Sequence, residues 1–511
     1  MKWLKKRNPK PVSTVKKFLS DTVIYGVTTI VSRMIGFLMT PLYLRKFKDA
    51  AVYGIYSNFY AWMSMLNAVL AFGMETTYFR YLQKVESEDR DKVYNNSLFV
   101  TLITSGLLLL SVFVFTSPIA AWFADGGDVS VYEQYIKYFA FILVADALAV
   151  VPFTKLRAEG RPYKYSALKF INIGITVVSN LFFIVFLPSW VHTYSFWENF
   201  AGAWFKEGWI GYVFISNLLA SLVTLLLLLP ELLAFRFRFD RKLMHEMLRY
   251  SLPILVANIS FIINENLDKM FFPKLMPGEA GKEDLGIYGA VAKLAVFLSL
   301  FVTAFRLGAE PFFFSYSKNQ NASKTYAVIM EYFVILMVVA MVGLTVNLDW
   351  LKYFIRGNEK EIAAYWTGLK IVPILLFNYV LLGIYMNLSI WYKLTDHTRY
   401  AIYISGIGAV ITILLNIWLI PIYSYVGAVL STTMVYLVMI GFSLYWGQKY
   451  YPIPYKLLKI VLYLATGLLI SWLSFQIFES NIWIGNFMLL LLLFAVYMLE
   501  KDGLVRLIRR K

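Results

Sequence analysis

Long apolar runs separated by short polar connections dominate the chain, falling near residues 20–44, 52–74, 95–116, 135–154, 167–187, 209–231 and 250–273, then 287–312, 326–348, 366–391, 400–421, 424–446, 458–477 and 482–500. About 20 apolar residues in a helix, each rising 1.5 Å, cross the hydrocarbon layer of a bilayer. Each run therefore predicts one transmembrane helix, and the fourteen runs predict an all-α polytopic membrane protein. The even number puts both termini on one side. Met1–Lys17 is basic, but the apolar stretch after it is too long for a signal-peptide core and lacks a small-residue cleavage pattern, so it reads as a retained first span. No connection exceeds about 25 residues, which leaves no room for a soluble catalytic domain and requires any function to be built from helices inside the bilayer.

Composition agrees. Of 511 residues 59% are hydrophobic and 15% charged, at a mean hydropathy of +0.62, which no soluble fold of this size could present as surface. The net charge of +17 raises nucleic acid as a partner until the Lys and Arg are placed. They lie in about threefold excess on the side of the termini, so the positive-inside rule puts both tails and the basic loops in the cytoplasm and nucleic acid drops out. With no cysteine and three scattered histidines (His192, His245, His397), thiolate chemistry is excluded and no metal or other cofactor is expected. There is no Gly-rich phosphate loop, so ATP is not hydrolysed by this chain. Asp89-Arg90-Asp91 copies an acidic triplet of some glycosyltransferases, yet sits in a charged loop without a nucleotide-binding fold and reads as solvated.

Two stretches resemble each other. Gly54-Ile55-Tyr56 opens the second span, which ends at Gly73-Met74-Glu75, and Gly286-Ile287-Tyr288 opens the eighth, which ends at Gly308-Ala309-Glu310. Arg161 precedes a span carrying Asn180 and ending at Pro188, as Arg399 precedes one carrying Asn416 and ending at Pro421. Both pairs are six spans apart. Six is even, so the copies share one orientation and predict two six-helix lobes in parallel repeat, an N-lobe over 1–240 and a C-lobe over 241–448, with a cleft between them for alternating access. Residues 449–511 then form an appended helical hairpin and basic tail.

A charge inside hydrocarbon costs some 2.5 to 3.5 kcal/mol even on a lenient scale, so each needs a cavity or a partner. Arg33 lies near the middle of span 1, roughly 20 Å from either end. Span 7 carries Glu265, Asp268 and Lys269; span 8 has Lys293, Arg306 and Glu310, span 10 has Lys370 and span 4 has Asp146. The basic set Arg33, Lys269, Lys293, Arg306 and Lys370 suits an anionic substrate such as a pyrophosphate. Glu265, Asp268 and Asp146 are candidates for coupling H+ or Na+, while Glu75 and Glu310, equivalent in the repeat, are gate or interlobe candidates. Local pairs compete with these roles: Glu265 with Lys269 and Arg306 with Glu310 at four-residue spacing, Arg33 with Asp146, and Glu75 with loop arginines.

Ser32-Arg33-Met34-Ile35-Gly36-Phe37, Gly73 to Arg80, Leu156 to Lys164 and Asn416 to Ala428, in that order within fourteen spans, resemble the multidrug/oligosaccharidyl-lipid/polysaccharide exporter superfamily, and within it the Wzx-type polysaccharide flippases. The resemblance implies a two-lobed carrier in the bacterial inner membrane that moves an undecaprenyl-pyrophosphate-linked oligosaccharide to the periplasmic leaflet for O-antigen, capsule or exopolysaccharide assembly. Its partners would be that lipid-linked substrate, membrane lipids and a polymerase or ligase of the same pathway. The lipid II flippases of the superfamily are the alternative; they have a second arginine six residues after the first, where this chain has Met39. A membrane-embedded O-antigen polymerase or ligase is the rival from another class, and the short outer connections, the longest near 188–208, speak against an enzyme.

Overall fold

A computed structural model describes residues 28, 30–32, 34–236, 240–317, 319–395 and 397–509, and every regular element among them is helical. In chain order the principal helices are α1 (Thr40–Lys46), α2 (Ala50–Ala71), α3 (Met74–Lys84), α4 (Arg90–Ala124), α5 (Val129–Ala158), α6 (Pro162–Leu181), α7 (Gly211–Leu227) and α8 (Arg241–Leu275). They continue with α9 (Glu279–Tyr316), α10 (Ala322–Val346), α11 (Val372–Leu388), α12 (Arg399–Tyr423), α13 (Tyr425–Tyr450), α14 (Leu457–Trp472) and α15 (Ile482–Arg509). Eleven helices among the described residues are long and apolar enough to cross a membrane, matching eleven of the predicted runs. The others differ for physical reasons: α2 is diluted by Tyr, Ser and Asn, α7 has only 17 residues, and the first run is only partly described.

Local chemistry sets the boundaries. Asp128 caps α5 by accepting from the Ser130 amide, and the Asp240 carboxylate accepts from the amides of Lys242 and Leu243 at the start of α8. Pro162 occupies the first turn of α6, where its missing N–H costs nothing. Between α2 and α3 the chain turns on Gly73, whose φ of +66° lies in the left-handed region. The equivalent Gly308 stays inside the continuous α9, so the repeat breaks its helix in one copy only.

Contacts group the helices into two compact units. The first comprises the described residues before 39 together with Leu66–Leu255; α4 packs along α5, and α6 and α7 close against it. Its core includes Met74, Tyr78, Val93, Leu98, Val151 and Met247. The second comprises Met39–Met65 and Val256–Lys511, with α13 between α11 and α12, and α10 carrying the α14–α15 hairpin. Bilayer helices gain little from hiding apolar surface from one another and associate instead through small residues that admit close approach. Gly467 faces Val338 and Met341 of α10, and Gly485 faces Val346. The Asn347 and Asn486 amides exchange hydrogen bonds of 3.0 and 3.3 Å.

The tightest approach joins α2 and α9 inside the second unit. A Cβ on Gly54 would run into the Lys282 carbonyl, and a Cβ on Gly286 into that of Ala50. These glycines open the two copies of the Gly-Ile-Tyr sequence, and each meets the residue four before the other. The crossing therefore has the reciprocity of a local twofold. Asn58 fastens it by donating to the carbonyls of Lys269 and Met270 at 2.7 and 2.9 Å.

Candidate functional site

Most of the polarity predicted for the seventh span converges within the second unit. Asn264 and Asp268, one turn apart on α8, are buried at 3% and 4% exposure. The Asn264 amide donates to the Ser405 carbonyl at 3.3 Å and accepts from the Thr412 hydroxyl at 3.0 Å, both on α12. Gly408 lies opposite, where a Cβ would come within 2.9 Å of the Asn264 amide nitrogen. Asp268 accepts the Tyr288 hydroxyl from α9, so the tyrosine of the second Gly-Ile-Tyr sequence supplies the carboxylate's partner.

Lys269 Nζ lies 3.6 Å from Asp268 Oδ1, donates to the Glu265 carbonyl at 3.3 Å and stands 5.2 Å from the centre of the Tyr288 ring. Its carboxylate partner is thus its neighbour Asp268. Lys293, on α9, lies near enough to feel the Lys269 charge, and no ion pair reaches it among the described residues. Tyr436 of α13 is buried beside the Glu265 and Asp268 charges. Two carboxylates, two ammonium groups and two phenols thereby gather across three helices. Such a group can bind a proton or monovalent cation on its carboxylates and attract an anion through its ammonium groups.

The other candidates lie apart from this cluster. Asp146 accepts from the Ser221 hydroxyl at 2.8 Å in the first unit and feels the charge of Lys169. Lys169 stands 4.3 Å from the Phe153 ring. Asn172 bonds Thr224 at 2.9 Å and Thr28 bonds Ser166 at 2.7 Å, giving α6 a polar seam. Glu75 pairs with Arg157 at half-exposed positions. Arg306 lies about three and a half turns beyond Lys293 on α9, and Lys370 stands 5.3 Å from the Tyr425 ring. Arg33 and the Glu310 side chain lie outside the described residues.

Several charged residues were missed in the sequence. Glu231, buried at 5% exposure, holds Lys164 at 2.6 Å and Arg161 at 3.6 Å, both from the Leu156 to Lys164 stretch. Glu331 of α10 takes Lys459 and Lys456, and Lys459 also reaches Glu500 at 2.5 Å. Tyr463 donates to Glu500 at 2.8 Å. Each of these charges stands near a span end, where sequence reasoning assigns it to water. Among the described residues no three His, Asp or Glu side chains are arranged to hold a metal ion.

A family model described as polysaccharide biosynthesis protein matches residues 18–317, and one described as MatE matches 253–418. Lsg locus putative protein 1 of Haemophilus influenzae is 22% identical over 307 residues, covering 60% of this chain and 68% of that protein. The fold is similar to a solved structure of the lipid II flippase MurJ in an inward closed conformation, with a TM-score of 0.70 at 14% identity, over 94% of this chain and 100% of that one. An inward-facing multidrug resistance MATE family transporter of the MOP superfamily aligns with a TM-score of 0.62 at 14% identity, covering 81% of this chain and 93% of its own.

Proposed function

The chain belongs to the polysaccharide biosynthesis protein family, and from that premise we propose that it flips a polyprenyl-pyrophosphate-linked oligosaccharide from the cytoplasmic to the outer leaflet by alternating access. The observation that carries this reading is the cluster of Glu265, Asp268, Lys269 and Lys293 within helices of spanning length. Charges kept at such depth are costly and mark a site that works on ions or polar cargo. A pyrophosphate and several sugars need a hydrated basic path through the bilayer, while the polyprenyl tail stays in lipid. Lys269, Lys293, Arg306 and Lys370, with Arg33, supply the cations of that path.

Movement is driven by an ion gradient or the membrane potential, with Glu265 and Asp268 taking the H+ or Na+. The protein works in the cytoplasmic membrane with both termini inside, handing its cargo to a polymerase or ligase. Proteoliposomes loaded with a labelled polyprenyl-pyrophosphate oligosaccharide, with lipid II in parallel, test this. Translocation of the oligosaccharide lipid that slows when the gradient is collapsed, and in Asp268→Asn, is expected. A rate indifferent to both sinks the coupling, movement of lipid II alone reassigns the cargo, and no movement of either returns the polymerase reading.

A further inference from the structure

The connection from α6 to α7 is a short helical hairpin whose surface is aromatic where a water-facing loop would be polar. Pro162–Thr193 runs as one candidate span of 32 residues, about 48 Å at 1.5 Å per residue against roughly 30 Å of hydrocarbon, so its last turns reach headgroup level. The chain then reverses at Tyr194 into the helix Ser195–Ala201. Leu187, Val191 and Ala201 form the hairpin's own core, with Trp197 and Phe205 packed against it. At about 100° per residue the helix Ser195–Ala201 divides into three arcs. Trp197 and Ala201 face that core, Ser195, Glu198 and Asn199 form an exposed polar arc, and Phe196 and Phe200 occupy the arc between them. These two phenyl rings are 70% and 61% exposed and stack on each other with centroids 6.2 Å apart. Trp204, also exposed, donates its indole N–H to the Phe200 carbonyl at 3.1 Å, which satisfies its one polar group within the hairpin.

We infer that Phe196, Phe200 and Trp204 dock into the lipid leaflet at the C-terminal end of α6, making the hairpin an interfacial anchor. Its partner is the boundary between headgroups and acyl chains. An exposed apolar stripe runs along α6 and its extension through Phe170, Ile171, Val178 and Phe186. Ring contacts carry that stripe onward without a break: Phe186 to Trp190 at 6.0 Å, Trp190 to Trp197 at 5.1 Å, Trp197 to Phe200 at 5.9 Å and Phe200 to Trp204 at 6.5 Å. Exposed apolar patches mark membrane or protein contacts, and continuity with the surface of a spanning helix selects lipid. Phenyl rings have no hydrogen-bonding group with which to read a sugar, whereas aromatic faces beside a polar arc suit the edge of a bilayer. The anchor rests on α6 crossing the membrane and is independent of the cargo.

The chain has no native cysteine, so single nitroxide labels on the full chain in nanodiscs can be read by collision with oxygen, which concentrates in lipid, and with a water-soluble nickel chelate. Labels at Phe196→Cys and Phe200→Cys should lie about 5–10 Å below the headgroup boundary, accessible to oxygen and shielded from nickel. A label at Glu198→Cys should be open to nickel, and one at Val178→Cys is the mid-span reference. Because a nitroxide is itself apolar, a label at Trp204→Cys reads the native rings: it should be shielded from nickel with both phenylalanines present and become accessible in Phe196→Ser/Phe200→Ser. A Trp204 label indifferent to that pair, or nickel reaching positions 196 and 200 as freely as 198, would overturn the anchor. Exclusion of both reagents at 196 and 200 would overturn it in favour of a protein cover, a second copy of the chain included. Nickel reaching Val178 would refute the crossing of α6 itself, and the anchor with it.

Discussion

Replacing Gly286 by alanine probes the α2–α9 crossing with one methyl group. An ideal Cβ there sits 2.7 Å from the Ala50 carbonyl carbon and 3.0 Å from the Gly54 nitrogen, and it also runs into the Ala50 oxygen. The obstacles are backbone atoms that no rotamer change can move. Ordinary contact begins near 3.4 Å, so the two axes must part by about 1 Å, and overpacking of this kind costs about 1–3 kcal/mol. With backbone on both sides the upper part of that range is expected, measured as unfolding free energy in mixed SDS micelles. Gly54→Ala should cost a similar amount, its Cβ lying 3.0 Å from the Lys282 carbonyl carbon and 3.1 Å from the Gly286 nitrogen. The double variant should lose less than the sum, because helices already parted accommodate the second methyl. Gly174→Ala and Gly406→Ala are the controls: nothing lies within 4 Å of either Cβ, and replacing glycine inside a helix should stabilise by about 0.5–1 kcal/mol. Gly286→Ala as stable as these controls would refute the close crossing.

Lys459→Met removes the cation shared by Glu331 and Glu500, leaving Glu331, at 6% side-chain exposure, with Lys456 and Glu500, at 5%, with the Tyr463 hydroxyl; a loss of about 2–4 kcal/mol is expected in the same assay, partly restored when Glu331 and Glu500 are also made apolar. Tyr288→Phe removes the hydroxyl that serves buried Asp268 and should cost about 1–3 kcal/mol, together with a change in the ion dependence of transport. Hydrogen bonds from the Leu243 and Lys242 amides hold the Asp240 carboxyl below the usual carboxylate range. Because its folded value is depressed, this cap stabilises α8 above about pH 4 and is lost as pH falls through the folded value. Amide exchange at Leu243 should quicken on that acid limb, and Asp240→Asn should abolish the dependence.

Apolar run length was enough to read the helical class and most spans, because in a bilayer every backbone group must pair within its own helix and hydropathy alone marks the segment. The Gly-Ile-Tyr pair was legible as a repeat, but that its glycines face each other was not, since identical spacing says nothing of which faces meet. The polarity at Asn264 to Lys269 marked a buried polar cluster, whereas Tyr288 and Tyr436 passed as ordinary aromatics because a phenol becomes informative only when its hydroxyl is seen against a carboxylate. Lys169, Glu331, Lys459 and Glu500 were missed for another reason. Each lies near a span end, and depth along one helix does not reveal the neighbouring helix that covers it. The C-terminal end of α6, extended through a wide turn over Phe182–Phe186 into Leu187–Thr193, likewise exceeds the predicted run because Pro188 falls in the first turn of the following helix and continues it.

The ion network under the C-terminal hairpin also bears on how the chain is made. Glu331 enters the bilayer with the ninth predicted span, but Lys459 follows 128 residues later. At ribosomal speeds of about 5–20 residues per second, the carboxylate waits roughly 6 to 25 s for its cation. During that interval α10 is a helix with an acid on the flank that α14 will cover, and it must carry a proton or a temporary companion. Synthesis interrupted before Lys456 leaves the Glu331 carboxylate without either of the lysines it pairs with in the finished fold.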